Sequence, residues 1–208
     1  MPVLLELMSG TGSIGRAFKE LGWEVVSLDL DARAKPTIVA DVCKWEPPDG
    51  FHVDAIWCSP PCTEFSMALT TRPRDLEAGL RVARRCLELI AQLKPQVWFM
   101  ENPGTGLLPK PPGFAELPCC FVTYCAYGFA YKKLTWIATN CDWQPRPVCT
   151  RAAPCAVFEN GRHPDVAQRG KTRCKEGLRG RSCSLKKLYS MPPELCHEIA
   201  LAATSAVC

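Results

Sequence analysis

The stretch VLLELMSGTGSIGRAFKELGWEVVSLDLD, residues 3 to 31, limits the fold more than any other part of the chain. An apolar run, VLLELM, gives way to a glycine turn, then to the helix candidate GSIGRAFKEL, then to the β-branched run WEVVSLDL. A strand reached from another strand through a helix lies parallel to it, so this is the opening of a βαβ unit. The grammar continues downstream. VDAIWC reads as a buried strand, DLEAGLRVARRCLELIAQLKP as a helix with Leu76, Leu80, Ala83, Leu87 and Ile90 on one face before Pro95 stops it, and QVWFME as a further strand. CCFVTYCAYG and KLTWIATN follow too closely for a crossover helix and are expected as an antiparallel pair at the sheet edge. The expected fold class is α/β: a Rossmann-like, mostly parallel sheet with helices on both faces and an antiparallel edge.

After Asn140 the pattern breaks. Residues 141–187 are rich in Pro, Gly, Arg and Cys with little periodicity, and order returns at MPPELCHEIALAATSAV, where Pro192 and Pro193 start a helix with Leu195, Ile199 and Ala202 or Ala203 facing inward. The expected organisation is a sheet domain over 1–140, a small irregular lobe over 141–187 and a closing helix over 188–208. No internal repeat or low-complexity tract is present. Charge follows the same division: residues 1–140 carry 14 Lys+Arg against 15 Asp+Glu, and 141–208 carry 11 against 6. The basic run from Arg162 to Lys187, with Arg169, Lys171, Arg173, Lys175, Arg179 and Arg181, is either a phosphate-tracking surface or a solvated face.

Fourteen cysteines would suggest disulfides in a short secreted chain. Here MPVLLELMSG has neither a basic leader nor a cleavage site, and nowhere do 18 apolar residues run together. The expectation is an intracellular, reduced protein, cytoplasmic or nuclear, without membrane contact, in which Cys43, Cys86, Cys196 and Cys208 are small buried hydrophobes.

The chemistry-bearing residues fall at strand ends. Gly10, Gly12 and Gly15 sit between the first strand and first helix, where backbone amides can approach a ligand. Asp29 ends the second strand beside the same crevice, suited to ribose hydroxyls, and Asp41 falls where a third strand would end, able to accept from an adenine amino group or simply to form a solvated turn. SPPC follows a buried strand, so two prolines hold Cys62 on a stiff corner; near a helix N-terminus such a thiol would have a lowered pKa. A zinc pair with Cys58 is the structural alternative. One strand later, FMENPGTG sets Glu101 and Asn102 at the next carboxyl end, where an acid can hydrogen-bond a ring nitrogen while the thiol attacks the ring.

These residues resemble the carbon-5 cytosine DNA methyltransferases. ELMSGTGS is similar to their first cofactor motif, SPPCTEFS to their Pro-Pro-Cys loop and MENP to their Glu-Asn motif, in the family's order and spacing. YGFAYKKLTWIATN is similar in position to the arginine-rich strand motif and MPPELCHEIALA to the closing helix. The resemblance implies a seven-stranded class I methyltransferase fold, S-adenosylmethionine as cofactor and cytosine in DNA as substrate. It implies that Cys62 attacks carbon 6 of a flipped-out base while Glu101 binds the ring nitrogen and amino group, with Lys133 and Thr135 near the base. It further implies that Met8, Gly10, Thr11, Gly12, Asp29, Leu30, Asp41, Val42 and Pro60 hold the cofactor, and that Pro61, Ser66, Asn102 and Pro103 meet the substrate. Three departures stand out: Thr63 where the family usually has Gln, YKKLT in place of a Gln-x-Arg-x-Arg pattern, and LYSMPP in place of the Gly-Asn pair before the closing helix. Lysine lacks the planar fork of arginine, so the base's carbonyl would be held differently.

The lobe is short where family members carry a sizeable recognition domain, which implies short or relaxed sequence specificity, with a partner chain and the oligomeric state left open. So small a lobe usually needs a staple. Cys149, Cys155 and His163 offer zinc ligands, with Cys141, Cys174 or Cys183 to complete the set; free thiols in a loop are the other reading. Three functions remain open: DNA cytosine methylation, modification of RNA cytosine or a nucleotide (or use of a modified sulfonium cofactor), and a catalytically idle binding module.

Overall fold

The structure is a computed structural model that describes residues 1–167 and 181–207. Arg169, Lys171, Arg173, Cys174, Lys175, Arg179 and Cys208, and the side chain of Arg181, lie outside the described residues.

Strands β1 (Val3–Leu7) and β2 (Glu24–Asp29) flank helix α1 (Ser13–Glu20), and β3 (Ile38–Val39), β4 (Ala55–Cys58), helix α2 (Leu76–Leu93) and β5 (Val97–Pro103) follow. Then come β6 (Cys119–Thr123), a 3₁₀ turn (Tyr124–Tyr127) and β7 (Leu134–Thr139). The strands form one seven-stranded sheet in the order β3-β2-β1-β4-β5-β7-β6. All neighbours are parallel except β7, which runs antiparallel to both β5 and β6, with Asn102 opposite Trp136 and Val122 opposite Thr135. This is the parallel sheet with an antiparallel edge that the connection lengths require. The strand order reverses between β1 and β4, and that switch point opens a crevice beyond their carboxyl ends.

Alternation along the strands feeds two cores. Leu4, Trp57 and Phe99 point to one face and pack with Phe18, Tyr124, Leu195 and Ile199. Leu5, Leu7, Ile56 and Met100 point to the other and pack with Phe65, Leu80, Ala83 and Leu89. Burial on both faces is why these strands read as nearly continuous apolar runs. α2 differs from its expected face: Gly79, Leu80, Ala83, Cys86 and Leu89 are buried, whereas Leu76 is 41% exposed. Asp75 caps the helix by accepting from the Ala78 N–H, so Leu76 belongs to a first turn that projects into solvent. Gly79 sets the stripe, since a Cβ there would meet Phe65 Cζ at 3.0 Å. Gly15 likewise belongs to α1 and not to the turn before it; a Cβ would lie 2.5 Å from Glu6 Oε2.

After Asn140 the chain still packs on the sheet domain. Trp143 is buried against Phe99, with ring centroids 6.3 Å apart, and its indole N–H donates to Glu198 Oε1 at 3.1 Å. Two-residue strands β8 (Asp165–Val166) and β9 (Arg181–Ser182) pair parallel, a short helix α3 (Leu185–Tyr189) follows, and α4 (Pro193–Val207) closes the chain against α1. In α4, Leu195, Ile199 and Ala203 face inward with Cys196 and Ala200, and Ala202 is half-buried. No helix among the described residues is long and apolar enough to cross a membrane.

Candidate active site

The loop after β1 is bent by positive φ angles at Met8 (54°), Gly10 (49°) and Gly12 (63°), the last serving as the left-handed cap of α1. The Asp29 carboxylate holds it in place: Oδ2 accepts from the Gly10 N–H at 2.7 Å and Oδ1 from the Asp31 N–H at 2.8 Å. Each of those oxygens has a lone pair to spare for a ligand hydroxyl. Leu30, beside it, is 72% exposed and offers an apolar platform, whereas Val42 is buried. Asp41 accepts from the Cys43 N–H at 3.0 Å and shapes a turn.

β4 delivers the thiol. Ser59 N–H donates to Leu7 O at 3.3 Å, and the fully buried Asn102 donates from Nδ2 to Pro60 O at 2.9 Å, clipping the two prolines to β5. The chain turns at Cys62, with Phe65 N–H donating to Cys62 O at 3.1 Å, and buries Phe65 in the α2-side core. No helix starts there: α2 begins at Leu76, and Ser66 is spent in the intervening loop, where its Oγ accepts from Ala68 N–H at 3.2 Å. The expected lowering of the thiol pKa is therefore corrected. Burial raises it, the Glu101 charge raises it further, and Lys133 opposes both. Cys58 is not a metal partner for Cys62: it is fully buried in β4, and its thiol pKa is held well above the ordinary value by burial and by Cys86.

Glu101, at the end of β5, is 8% exposed. Lys133 Nζ lies 3.6 Å from its Oε1, the Tyr124 hydroxyl donates to the same oxygen at 3.5 Å, and Lys133 Nζ stands 3.4 Å from that hydroxyl and 4.6 Å from the ring centroid. Burial, then the Glu101 charge, raises the Tyr124 pKa well above its ordinary value, so the phenol stays protonated and acts as a donor. Sheet order builds this trio: β7 lies between β5 and β6, so Lys133 and Tyr124 both reach Glu101 from across the antiparallel edge.

One cavity of about 270 Å³ brings these parts together. Of the residues anticipated from the sequence, Met8, Gly10, Thr11, Pro60, Pro61, Cys62, Glu101, Pro103 and Lys133 line it. Gly12, Asp29, Leu30, Asp41, Val42, Ser66, Asn102 and Thr135 do not. Thr135 is fully buried in β7, so the second position of the arginine-rich motif is turned into the protein and cannot meet a base in this cavity. Unanticipated walls include Glu6, Tyr124, Tyr189 and Met191. Glu6 is 3% exposed, and burial lifts its carboxyl to about 7. An acid inside an apolar strand was its visible signal. Tyr189 and Met191 come from LYSMPP, whose Met191 N–H donates to Ser13 Oγ at 3.4 Å and seats that segment over the glycine loop.

The donor set fits a nucleoside cofactor: glycines at positive φ that leave the backbone open to approach, a carboxylate fixed beside them and an exposed leucine next to it. A second cluster lies elsewhere. Cys125, Cys149, Cys155 and His163 bring ligand atoms within 4.8 Å of one another, an arrangement that can hold a metal ion. The fourth member is Cys125, from the 3₁₀ turn, and none of those anticipated. Cys141 Sγ is engaged with Ala202 O at 3.8 Å, and Cys183 is buried in the α4-side core.

No family model matches the chain. It is 32% identical over 215 residues to the protein of Frog virus 3 (isolate Goorha) named "Probable DNA (cytosine-5)-methyltransferase", covering 94% of this chain and 97% of that one. It is 28% identical over 116 residues to the Type II methyltransferase M.AplI of Arthrospira platensis, covering 48% of this chain and 31% of that one. Among solved structures, a DNA modification methyltransferase encoded within an E. coli prophage superposes with a TM-score of 0.55 at 16% identity over 71% of this chain and 52% of that one. The S. pombe Dnmt2 methyltransferase superposes with a TM-score of 0.52 at 15% identity over 71% of this chain and 53% of that one. The chain thus shares their fold and spans about half the length of each.

Proposed function

The chain belongs to the DNA (cytosine-5)-methyltransferases, and from that premise we propose that it methylates carbon 5 of cytosine in DNA through a covalent bond to Cys62. The observation that carries this reading is the convergence of Cys62, Glu101 and Lys133 on the cavity that also receives Met8, Gly10 and Thr11. A nucleophile and an acid meet there beside the glycine loop. A base stacked in a duplex cannot enter such a cavity, so the target cytosine is extruded into it.

The raised thiol pKa keeps the proton on Cys62 until the base is seated, with Lys133 favouring its release. As the sulfur bonds to carbon 6, the Cys62 proton passes to the Glu101 carboxylate and from it to the ring nitrogen, so the proton lost by the thiol is the one gained by the base and no net charge is created in the buried site. Lys133 and the Tyr124 hydroxyl hold the Glu101 carboxyl in place for that exchange. Carbon 5 becomes nucleophilic as a result. Bound S-adenosylmethionine, for which Gly10, Gly12, Asp29 and Leu30 are the fitting residues, supplies the electrophilic methyl. Loss of the carbon-5 proton to a base then expels the Cys62 sulfur and restores the aromatic ring.

The test is incubation with tritiated S-adenosylmethionine and DNA containing 5-fluorocytosine, then denaturing electrophoresis. Fluorine cannot leave as a proton does, so the wild type should give a labelled covalent adduct and Cys62→Ser none. Bound cofactor without an adduct on DNA, or an adduct on RNA alone, overturns the proposal.

A further inference from the structure

Cys125, Cys149, Cys155 and His163 come from separate parts of the chain, and nothing in the methylation reaction calls for them. Their geometry is specific. His163 Nε2 lies 3.7 Å from Cys149 Sγ and 3.4 Å from Cys155 Sγ. In a tetrahedral zinc site, bonds of about 2.3 Å to sulfur and about 2.0–2.1 Å to nitrogen make the nitrogen–sulfur edge about 3.5 Å. The two observed edges bracket that length. All three cysteines are free thiols, so no disulfide accounts for their approach.

The surroundings orient the ligands as metal sites require. Cys155 N–H donates to Cys149 Sγ at 3.3 Å, and Cys149 N–H donates to the buried Thr123 Oγ1 at 2.9 Å. Phe158 meets the His163 ring edge-on at 5.1 Å, and a tight turn with Asn160 (φ 51°) and Gly161 (φ 78°) swings His163 back toward the thiols. A merely apolar thiol cluster would have no use for an imidazole nitrogen set between two sulfurs.

We infer that these four residues bind one zinc ion, through three thiolates and His163 Nε2. With four protein ligands no position is left for water, so the ion is structural. It fastens the loop after Asn140 to the end of β6. That loop needs it: among the described residues of 141–167, Trp143, Cys149 and Asp165 are the buried ones, too few to order the segment by apolar burial. The fastening point adjoins the active site, because Cys125 follows Tyr124, whose N–H donates to Lys133 O at 3.2 Å. Zinc thereby holds the root of the basic segment beside the two residues that embrace Glu101.

Metal content tests this independently of any catalytic reading. The purified wild-type protein should carry about one equivalent of zinc by mass spectrometry, and Co²⁺ replacing it should give thiolate charge-transfer and tetrahedral visible bands. Cys125→Ser should lose the ion, while Cys141→Ser and Cys183→Ser keep it. His163→Cys guards against a variant that fails for reasons of folding: it should retain the metal, with the charge-transfer intensity raised by about a third as three thiolates become four. A wild-type protein that is folded by circular dichroism yet holds no zinc and gives no charge-transfer band overturns the inference. So does a full equivalent of zinc in Cys125→Ser.

Discussion

Replacing Glu6 with glutamine isolates the energetics of an acid placed inside the first strand. Burial raises this carboxyl from 4.5 to about 7, against the Gly15 backbone hydrogen bond and the charges of Arg16 and Lys19, with Asp29 adding a small upward push. The folded protein therefore binds the Glu6 proton more tightly than the unfolded chain does. Its contribution to stability is complete below pH 4.5 and is lost as the pH climbs through about 7. At about 1.4 kcal/mol per pH unit, that interval amounts to about 3 kcal/mol, of which about 2.5 kcal/mol falls between pH 5 and pH 8. Glutamine keeps the shape and an acceptor for Gly15 but never ionises. Urea unfolding of both proteins across pH 5–8 should show glutamine gaining about 2.5 kcal/mol on the wild type toward the alkaline end, or about 5–10 °C in midpoint temperature. Every other titrating group is common to both and cancels in the difference. Parallel stability curves across that range would refute the argument that desolvation governs this acid.

Two further outcomes follow from the same electrostatics and geometry. Alkylation of Cys62 by iodoacetamide, followed by mass spectrometry of its peptide, should titrate above the ordinary thiol value in the wild type; Glu101→Gln, which removes a repelling charge, should move the midpoint down, and Lys133→Met, which removes the attracting one, should move it up. A midpoint unmoved by both variants would mean that burial alone sets the thiol. Asp29→Ala frees the Gly10 and Asp31 amides together and should weaken S-adenosylmethionine binding at least about tenfold by calorimetry, the effect of losing one or two charge-assisted hydrogen bonds; unchanged affinity would remove this carboxylate from the cofactor site.

The sheet was legible because its strands advertise both faces. VLLELM and VDAIWC are apolar but for one acid each, Glu6 and Asp54, as strands covered on each side nearly are, and the short link from CCFVT to KLTWIAT leaves only antiparallel pairing. The face of α2 was misread because periodicity treats glycine as neutral, whereas Gly79 is where Phe65 seats against the helix and turns Cys86 and Leu89 inward. In the site, positions at the carboxyl ends of β1, β4 and β5 could be named, since chain order alone carries them to the switch point. The Cys62 thiol pKa could not be inferred that way. Its direction depends on Glu101 and Lys133, whose placement follows from the sheet order and not from the local sequence of the proline corner.

The same distinction explains why Cys125, the fourth member of the Cys/His cluster, was missed. A motif search confined to the lobe finds Cys149, Cys155 and His163 and looks for a nearby partner, yet Cys125 lies on the far side of β7 in sequence, within a segment that reads simply as strand. It becomes a neighbour because β6 is the outermost strand, so the turn at its end meets the chain returning after Asn140. Tyr124 and Cys125 are consecutive but face opposite tasks: one donates its hydroxyl to Glu101 inside the cavity, the other points its sulfur toward the loop. With zinc bound as proposed, a strand end that presents Tyr124 to Glu101 on one side and Cys125 to the Cys/His cluster on the other would couple the order of the loop after Asn140 to the position of Glu101. Stripping the metal should therefore disturb the Glu101–Tyr124–Lys133 contacts before it disturbs the buried sheet between β1 and β5, whose packing depends on none of the four ligands.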